Sequence, residues 1–238
     1  MESSLSRTLM DWYMRFDVFA GLLGGFQTVL SREWFSYGLQ YFLQQSESAP
    51  ENLAWRILAQ QWQYRLLAMD MALLFARMGK GEISPKQFEI ENGALGKRIA
   101  EWKTKMDPVL RDPQYLVHDF HGVPPATCKS IVDPWEPGYF YDGPLFPMNI
   151  AMLDWLSIDI MHKYQTAQIT NTQPSPELTR QAYQSCQLFE AIELWPESPK
   201  GTILCLQASL GISLLFLPRD DMHAMWGRRK FASIEANG

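Results

Sequence analysis

The residues of this 238-residue chain that could carry chemistry are few, and the first candidates are His118, Asp119 and His121. Two imidazoles and a carboxylate are zinc-type ligands, but no further donor follows at a recognised spacing, so packing of a loop is the preferred interpretation. No Gly-x-Ser-x-Gly motif marks a nucleophilic serine. The glycines within 21–25 follow a helical pattern and lack the Gly-Lys-Ser/Thr continuation of a phosphate-binding loop. We therefore expect no enzymatic activity, no catalytic residue and no metal site.

Two carboxylates, Asp154 and Asp159, lie in the segment 150–164, where apolar side chains fall on nearly every side of a helix. A helix that is apolar all round is buried, and buried carboxylates need partners. The spacing places the two acids on different faces, which favours two structural ion pairs over a catalytic acid–base pair. No Lys or Arg occurs between Ser130 and His162, so their cations are expected to come from other elements.

The cations expected to reach these acids lie in the N-terminal and C-terminal parts of the chain. The ion-pair candidates beside Asp154 and Asp159 are Arg15, Asp17, Arg32, Arg228 and Arg229, with Lys230 completing a basic trio. An arginine can satisfy a carboxylate through two parallel hydrogen bonds, and Arg15 with Asp154 is the pairing we expect first. The trio could instead contact DNA or an import receptor, but three charges are a weak signal, and a salt-bridged or solvated helix face is favoured.

The composition is that of a globular protein, with 47% hydrophobic and 20% charged residues. A net charge of -5 argues against the whole surface being built to bind nucleic acid. The three cysteines, Cys128, Cys186 and Cys205, are too few and too scattered for a disulfide framework or a zinc cluster, and they suit a reducing compartment. The longest strongly apolar run, 203–217, is too short to span a bilayer, and acidic residues interrupt any signal-peptide pattern near the N-terminus.

The periodicity of apolar residues predicts an all-α protein with roughly seven to nine helices in a single domain. The predicted helices cover 9–23, 31–42, 51–78, 84–106, 150–164, 176–192, 203–217 and 221–235. The apolar face of the first, an amphipathic helix, consists of Trp12, Phe16, Phe19, Ala20 and Leu23. Ser84 and Pro85 form a helix start, and the following glycines at 93 and 96 favour a kink. Residues 107–147 contain eight of the fifteen prolines and many aromatic residues, which predicts a long packed loop.

Three stretches of the chain resemble, in order, the family of fungal-specific transcription factor domains. They are 11–35, which opens Asp-Trp-Tyr-Met-Arg-Phe-Asp, 131–166, which opens Ile-Val-Asp-Pro-Trp-Glu-Pro, and 217–235, which opens Leu-Pro-Arg-Asp-Asp-Met-His-Ala-Met-Trp. The resemblance implies that residues 1–238 are a helical, non-enzymatic regulatory domain of transcription factors that carry a six-cysteine binuclear zinc cluster. It implies control of RNA polymerase II transcription in the nucleus, and leaves a cytoplasmic pool open. One branch of the family uses this domain to sense a sterol.

The chain also departs from the family pattern. It has no zinc cluster, so the resemblance implies that zinc and DNA are bound only by a separate module and that this chain has no cofactor. No membrane association is expected. Relatives often carry Cys at the position of Gly227 and continue past Glu235. The chain is therefore expected to be incomplete at both ends, as an excised piece, or to be a short paralogue or a short gene model. The expected partners are transcription machinery or co-regulators, while a small apolar ligand and a homodimer are left open. The alternative is a helical interaction or dimerisation scaffold without a small ligand; an enzyme that uses the His118 loop ranks third.

Overall fold

The computed structural model describes residues 4–120, 129–136 and 138–237, and their regular secondary structure is entirely helical. The predicted all-α fold is confirmed. The described residues form α1 (Ser4–Gly24), α2 (Arg32–Ser48), α3 (Leu53–Gly79), α4 (Pro85–Thr104), α5 (Pro147–Ile169), α6 (Glu177–Leu194), α7 (Thr202–Cys205), α8 (Gln207–Leu214) and α9 (Asp221–Asn237). Contacts divide the chain into two compact units, Met1–Leu110 with α1–α4 and Arg111–Gly238 with α5–α9. The assignment of residues 1–238 to one regulatory domain stays a prediction.

Local side-chain chemistry determines where the helices of the first unit begin. The Asn52 side chain accepts a hydrogen bond from the N–H of Ala54 at 3.0 Å and caps α3. The Ser84 hydroxyl accepts from the N–H of Gln87 at 3.2 Å, with Pro85 in the first turn, which confirms the predicted start of α4. Helix α4 runs through its two glycines without a break. The kink that these glycines favour stays a prediction. The buried side chains Phe88, Leu95, Ile99 and Trp102 hold the helix in place.

Helix α1 shows that periodicity alone chose the wrong buried face. Met14, Val18 and Leu22 are buried, whereas Trp12, Phe16 and Leu23 of the predicted face are at least half exposed. Phe19, at the edge of the predicted face, is buried as expected. Periodicity fails here because α1 has apolar residues on both sides, and the side that carries Asp17 is the buried one. The Asp17 carboxylate accepts the N–H groups of residues 29 and 30 at 2.8 and 2.9 Å, which folds the following loop back onto that side of the helix.

Helix α5 is the central element of the second unit, and nearly all its residues from 148 to 162 are buried. This confirms the prediction that it is apolar all round. Asn149 lies inside the helix and does not cap it; its side chain accepts from the N–H of Tyr141 at 2.9 Å and donates to the Tyr141 carbonyl at 2.7 Å. The side chain of Asn149 therefore anchors the segment that leads into α5.

The apolar run 203–217 does not form the single buried helix that was predicted. It divides into α7 and α8 at Leu206, whose N–H bonds to the Ile203 carbonyl in a tight turn. Leu204 and Leu215 are exposed, while Leu206 and Leu210 are buried. The run contains three polar side chains, at 207, 209 and 213. One of them, Gln207, directly follows the turn, but so sparse a pattern did not mark a break.

The described parts of the Pro-rich segment 107–147 are packed, as the aromatic content predicted. Leu116 and Tyr141 form an isolated antiparallel bridge, flanked by a bond from the Val117 N–H to the Phe140 carbonyl at 2.8 Å. The rings that pack around this bridge are Phe120, Trp135, Phe140, Phe146 and Trp195. Among the described residues, no helix is long and apolar enough to cross a membrane.

Candidate ligand pocket

The second unit contains a cleft of about 840 Å³ between α6, α7 and α9. Cavities of 300–1,000 Å³ are typical of sites for small molecules. The lining includes apolar side chains such as Trp195, Ile203 and Trp226, together with uncharged polar and charged side chains. The lining is therefore mixed, unlike the wholly apolar surface that a sterol would favour.

The charged part of the cleft is built on Lys230, which lies between two carboxylates of α6. Its Nζ is 2.6 Å from Glu190 Oε1 and 2.6 Å from Glu193 Oε2. The three side chains are only 12%, 4% and 12% exposed for Lys230, Glu190 and Glu193 respectively. Glu190 also accepts hydrogen bonds from Trp226 Nε1 at 3.3 Å and from the Ser130 hydroxyl. This buried ion-pair network is satisfied on both carboxylates, as burial of charge requires.

Helical spacing explains how this network forms. Glu190 and Glu193 are three residues apart on α6, and Trp226 and Lys230 are four apart on α9, so each pair lies on one face of its helix. Lys230 Nζ also lies 5.4 Å from the centre of the Trp226 ring. These two faces pack against each other, and the ammonium of Lys230 on α9 binds both carboxylates of α6.

The cleft carries a surplus of positive charge. Its lining includes four cations, Lys129, Lys200, Arg229 and Lys230, against the two carboxylates of Glu190 and Glu193, which gives a formal charge of +2. Arg229 donates to the Lys129 carbonyl at 2.7 Å, which holds residue 129 against α9. Since Lys230 already serves both carboxylates, the remaining cations are available to a ligand that carries a negative charge.

A second polar cluster joins α6 to the start of α9. Tyr183 Oη lies 2.6 Å from His223 Nε2, and His223 Nδ1 lies 2.7 Å from Asp220 Oδ1. The same carboxylate accepts the backbone N–H of His223 at 3.0 Å, and this bond, together with the imidazole, holds the pKa of Asp220 below its usual value. Burial raises the pKa of Tyr183. The Asp220 carboxylate caps the start of α9, and the contact between Tyr183 and His223 ties this start to α6, so we assign the cluster a structural role.

Asp159, one of the predicted ion-pair residues, finds its cation on its own helix. Lys163 Nζ lies 2.7 Å from Asp159 Oδ2, and Gln181 of α6 donates to the same oxygen at 2.6 Å. The expectation of an arginine from a chain end is therefore wrong for this residue. Lys163 follows directly after the cation-free stretch and sits four residues from the acid, one helical turn away. Asp154 accepts from the Ser209 hydroxyl of α8 at 2.8 Å. Its predicted pairing with Arg15 stays a prediction.

The other ion-pair candidates have partners that the sequence pattern did not indicate. Arg32 pairs with Asp70 of α3, its Nε lying 2.5 Å from Asp70 Oδ1, and Asp17 accepts backbone N–H groups. Arg229 bonds a backbone carbonyl, and the exposed Arg228 only approaches the Met225 sulfur at 4.0 Å. Within the basic trio it is the lysine that binds carboxylates. The compact ammonium of Lys230 fits between the carboxylates of Glu190 and Glu193, which share one face of α6.

The sequence analysis did not identify the cleft or the Tyr183–His223–Asp220 cluster. An Asp three residues before a His at a helix start was a local sign of the cap, but nothing near residue 183 points to its partner. In the metal-type motif, His121 lies outside the described residues, as does Cys128. Within the described ranges, no group of three or more His, Cys, Asp or Glu side chains converges as metal ligands would.

The two described cysteines are expected to differ sharply in reactivity. Cys186 is fully buried in α6, and this burial raises the pKa of its thiol, whereas Cys205 is exposed. Because the thiolate is the reactive form, iodoacetamide at neutral pH should modify Cys205 and spare Cys186, as read by peptide mass spectrometry. Denatured protein, in which both thiols react, is the control. Equal modification of both in the native protein would contradict the burial of Cys186.

Comparison with known proteins finds no match: no family model, no curated protein and no solved structure is similar to this chain.

Proposed function

We propose that this chain is the regulatory domain of a fungal zinc-cluster transcription factor and that it controls RNA polymerase II transcription in the nucleus. The proposal is supported by the three stretches that resemble that family. The main observation behind the proposal is that the third stretch, 217–235, contributes Trp226, Arg229 and Lys230 to the lining of the cleft of about 840 Å³. In this proposal the chain performs no chemistry of its own, and DNA is contacted through a separate zinc-cluster module.

The ligand that best suits the cleft is a small amphipathic anion. Its apolar part would lie against Trp195, Ile203 and Trp226, and its carboxylate or phosphate would face the surplus cations Lys200 and Arg229. A ligand can shift a regulatory equilibrium only by binding one arrangement better than another. The cleft is suited to this because α6, α7 and α9 all contribute to its walls, so an occupant would favour one relative placement of these helices.

Ligand binding can be tested with a matched pair of variants on α9. Ser233 lines the cleft, whereas the neighbouring Ala232 is exposed and does not. Thermal unfolding would be measured with medium-chain fatty acids, alkyl phosphates and uncharged sterols. We expect an anionic amphipath to raise Tm by several degrees in the wild type and in Ala232→Trp, but not in Ser233→Trp, because ligand at 100 Kd adds about 2.7 kcal/mol. A Ser233→Trp protein that responds like the wild type would contradict binding in this cleft.

The regulatory role needs a separate test. The chain would be fused to an unrelated DNA-binding domain, and transcription of a reporter gene carrying the matching site would be measured with and without the ligand found above. We expect reporter transcription to depend on the fused chain and to change with ligand in the wild type but not in Ser233→Trp. Transcription equal to that of the DNA-binding domain alone, under both conditions, would contradict a regulatory role.

The alternative function is a helical interaction scaffold without a small ligand. The observation that favours it is the exposed apolar side of α1, described below. If no member of the ligand panel changes Tm while the fusion still alters reporter transcription, the scaffold is the better description.

A further inference from the structure

Helix α1 presents a continuous apolar stripe to solvent. Its members are Leu9, Trp12, Phe16 and Leu23, each at least half exposed, with Phe16 the most exposed at 62%. At about 100° per residue they fall within an arc of roughly 60°. The rings of Trp12 and Phe16 are stacked with their centres 5.9 Å apart. The ring of Phe26, which is 55% exposed, stands where a Cβ on Gly24 would be and adds apolar surface beside the end of the stripe.

The size of this surface is that of an interface. Aromatic side chains bury about 150–250 Å² each and leucine somewhat less, so three aromatic residues and two leucines that are about half exposed offer roughly 500 Å². Monomeric proteins seldom leave contiguous apolar patches larger than a few hundred Å² uncovered. Two such surfaces placed face to face would bury about 1,000 Å² in total, the lower bound for a specific protein–protein interface.

The order of residues along the stripe is self-complementary. Leu9, Phe16 and Leu23 are spaced seven residues apart, with the same residue type on either side of Phe16. In an antiparallel pair whose two-fold axis passes through Phe16, Leu9 faces Leu23 of the second copy. Trp12 then faces Ala20 of the second copy, a large side chain against a small one. A two-fold interface requires that one patch complement itself in this way.

We propose that α1 pairs with α1 of a second copy of this chain, antiparallel and centred on Phe16. The stripe contains no charged residue, so nothing in it opposes close contact between two identical copies. The seven-residue spacing is the repeat that keeps a seam facing a partner helix. The pairing is independent of the ligand proposed for the cleft, which lies in the other unit.

Sedimentation equilibrium tests the pairing with a matched control. Phe16 is 62% exposed on α1, and Ile90 is 61% exposed on α4, outside the stripe. We expect a concentration-dependent wild-type dimer, a dissociation constant raised about a hundredfold or more by Phe16→Glu, and no change with Ile90→Glu, because charge at the centre of an interface is costly. Circular dichroism would verify that both variants are folded. A wild-type chain that remains monomeric, or a Phe16→Glu variant that still dimerises, would overturn the proposal, and the stripe would then belong to a different partner.

Cysteine cross-linking tests whether the two α1 helices run antiparallel. The variants are made in a background that carries Cys128→Ser and Cys205→Ser. Phe16→Cys on the two-fold axis should form a disulfide-linked dimer under mild oxidation. Leu9→Cys alone should not, because its two copies would lie about 21 Å apart along the helix axis, far beyond disulfide reach. A mixture of Leu9→Cys and Leu23→Cys proteins should cross-link. Efficient cross-linking of Leu9→Cys by itself would show a parallel pair and overturn the antiparallel arrangement.

Discussion

Replacing Lys230 with methionine should lower the free energy of unfolding by about 3–5 kcal/mol, the cost of removing one partner from a buried ion pair. Methionine keeps most of the apolar stem of lysine, so the lost free energy of unfolding is due to removal of the ammonium group. Without it, the carboxylates of Glu190 and Glu193 lie close together and largely buried with no cation between them. The measurement is urea unfolding followed by circular dichroism, with the midpoint and the slope both reported.

Two comparisons show whether the loss comes from the buried charge. Lys97 is 76% exposed and pairs with Glu101 on the surface of α4, so Lys97→Met should cost about 0–1 kcal/mol. Adding Glu190→Gln and Glu193→Gln to Lys230→Met removes the uncompensated carboxylates and should recover a large part of the stability. A Lys230→Met protein as stable as Lys97→Met would mean that the network does not hold α9 to α6.

Replacing Gly38 with alanine should destabilise the first unit by about 1–3 kcal/mol, the usual cost of inserting a methyl group into a filled core. The Trp62 ring of α3 occupies the position where an alanine Cβ on α2 would stand. Trp62 is itself buried and contacts Phe42, with ring centres 5.3 Å apart, so it has little freedom to move away. Chemical denaturation of the variant and the wild type, compared at equal slope, measures the change.

Gly93 in α4 provides the matched control for Gly38. No atom lies within 4 Å of a Cβ built on Gly93, so Gly93→Ala should stabilise the protein by about 0.5–1 kcal/mol through helix propensity alone. In a Trp62→Leu background the ring is gone, and Gly38→Ala should lose most of its cost, a coupling that a double-mutant cycle measures. If Gly38→Ala and Gly93→Ala have equal effects, α2 and α3 do not approach as closely as the structure has them.

The sequence determined the features that depend on neighbours along the chain. The Ser84 cap and the start of α4 depend on residues within one helical turn. The uniform burial of α5 follows from apolar residues on all its sides, whatever packs against it. These features are local or averaged over a whole helix, so one sequence suffices to predict them and the all-α class. The basic trio at 228–230 was also correctly placed on a helix. The ion pairs with carboxylates, however, are made by Lys230 and not by the two arginines that were the named candidates.

Only the tertiary structure decided which face of α1 is buried, where the run 203–217 turns, and which groups hold the charges. Periodicity cannot choose between two apolar faces, and the few polar residues of the run 203–217 do not mark its break at Leu206. The cleft was missed for the same reason, since Ser130, Glu190 and Lys230 are distant in sequence and meet only when α6 and α9 pack. Spacing indicates which residues share a helix face, but the partner of that face is determined by packing between helices.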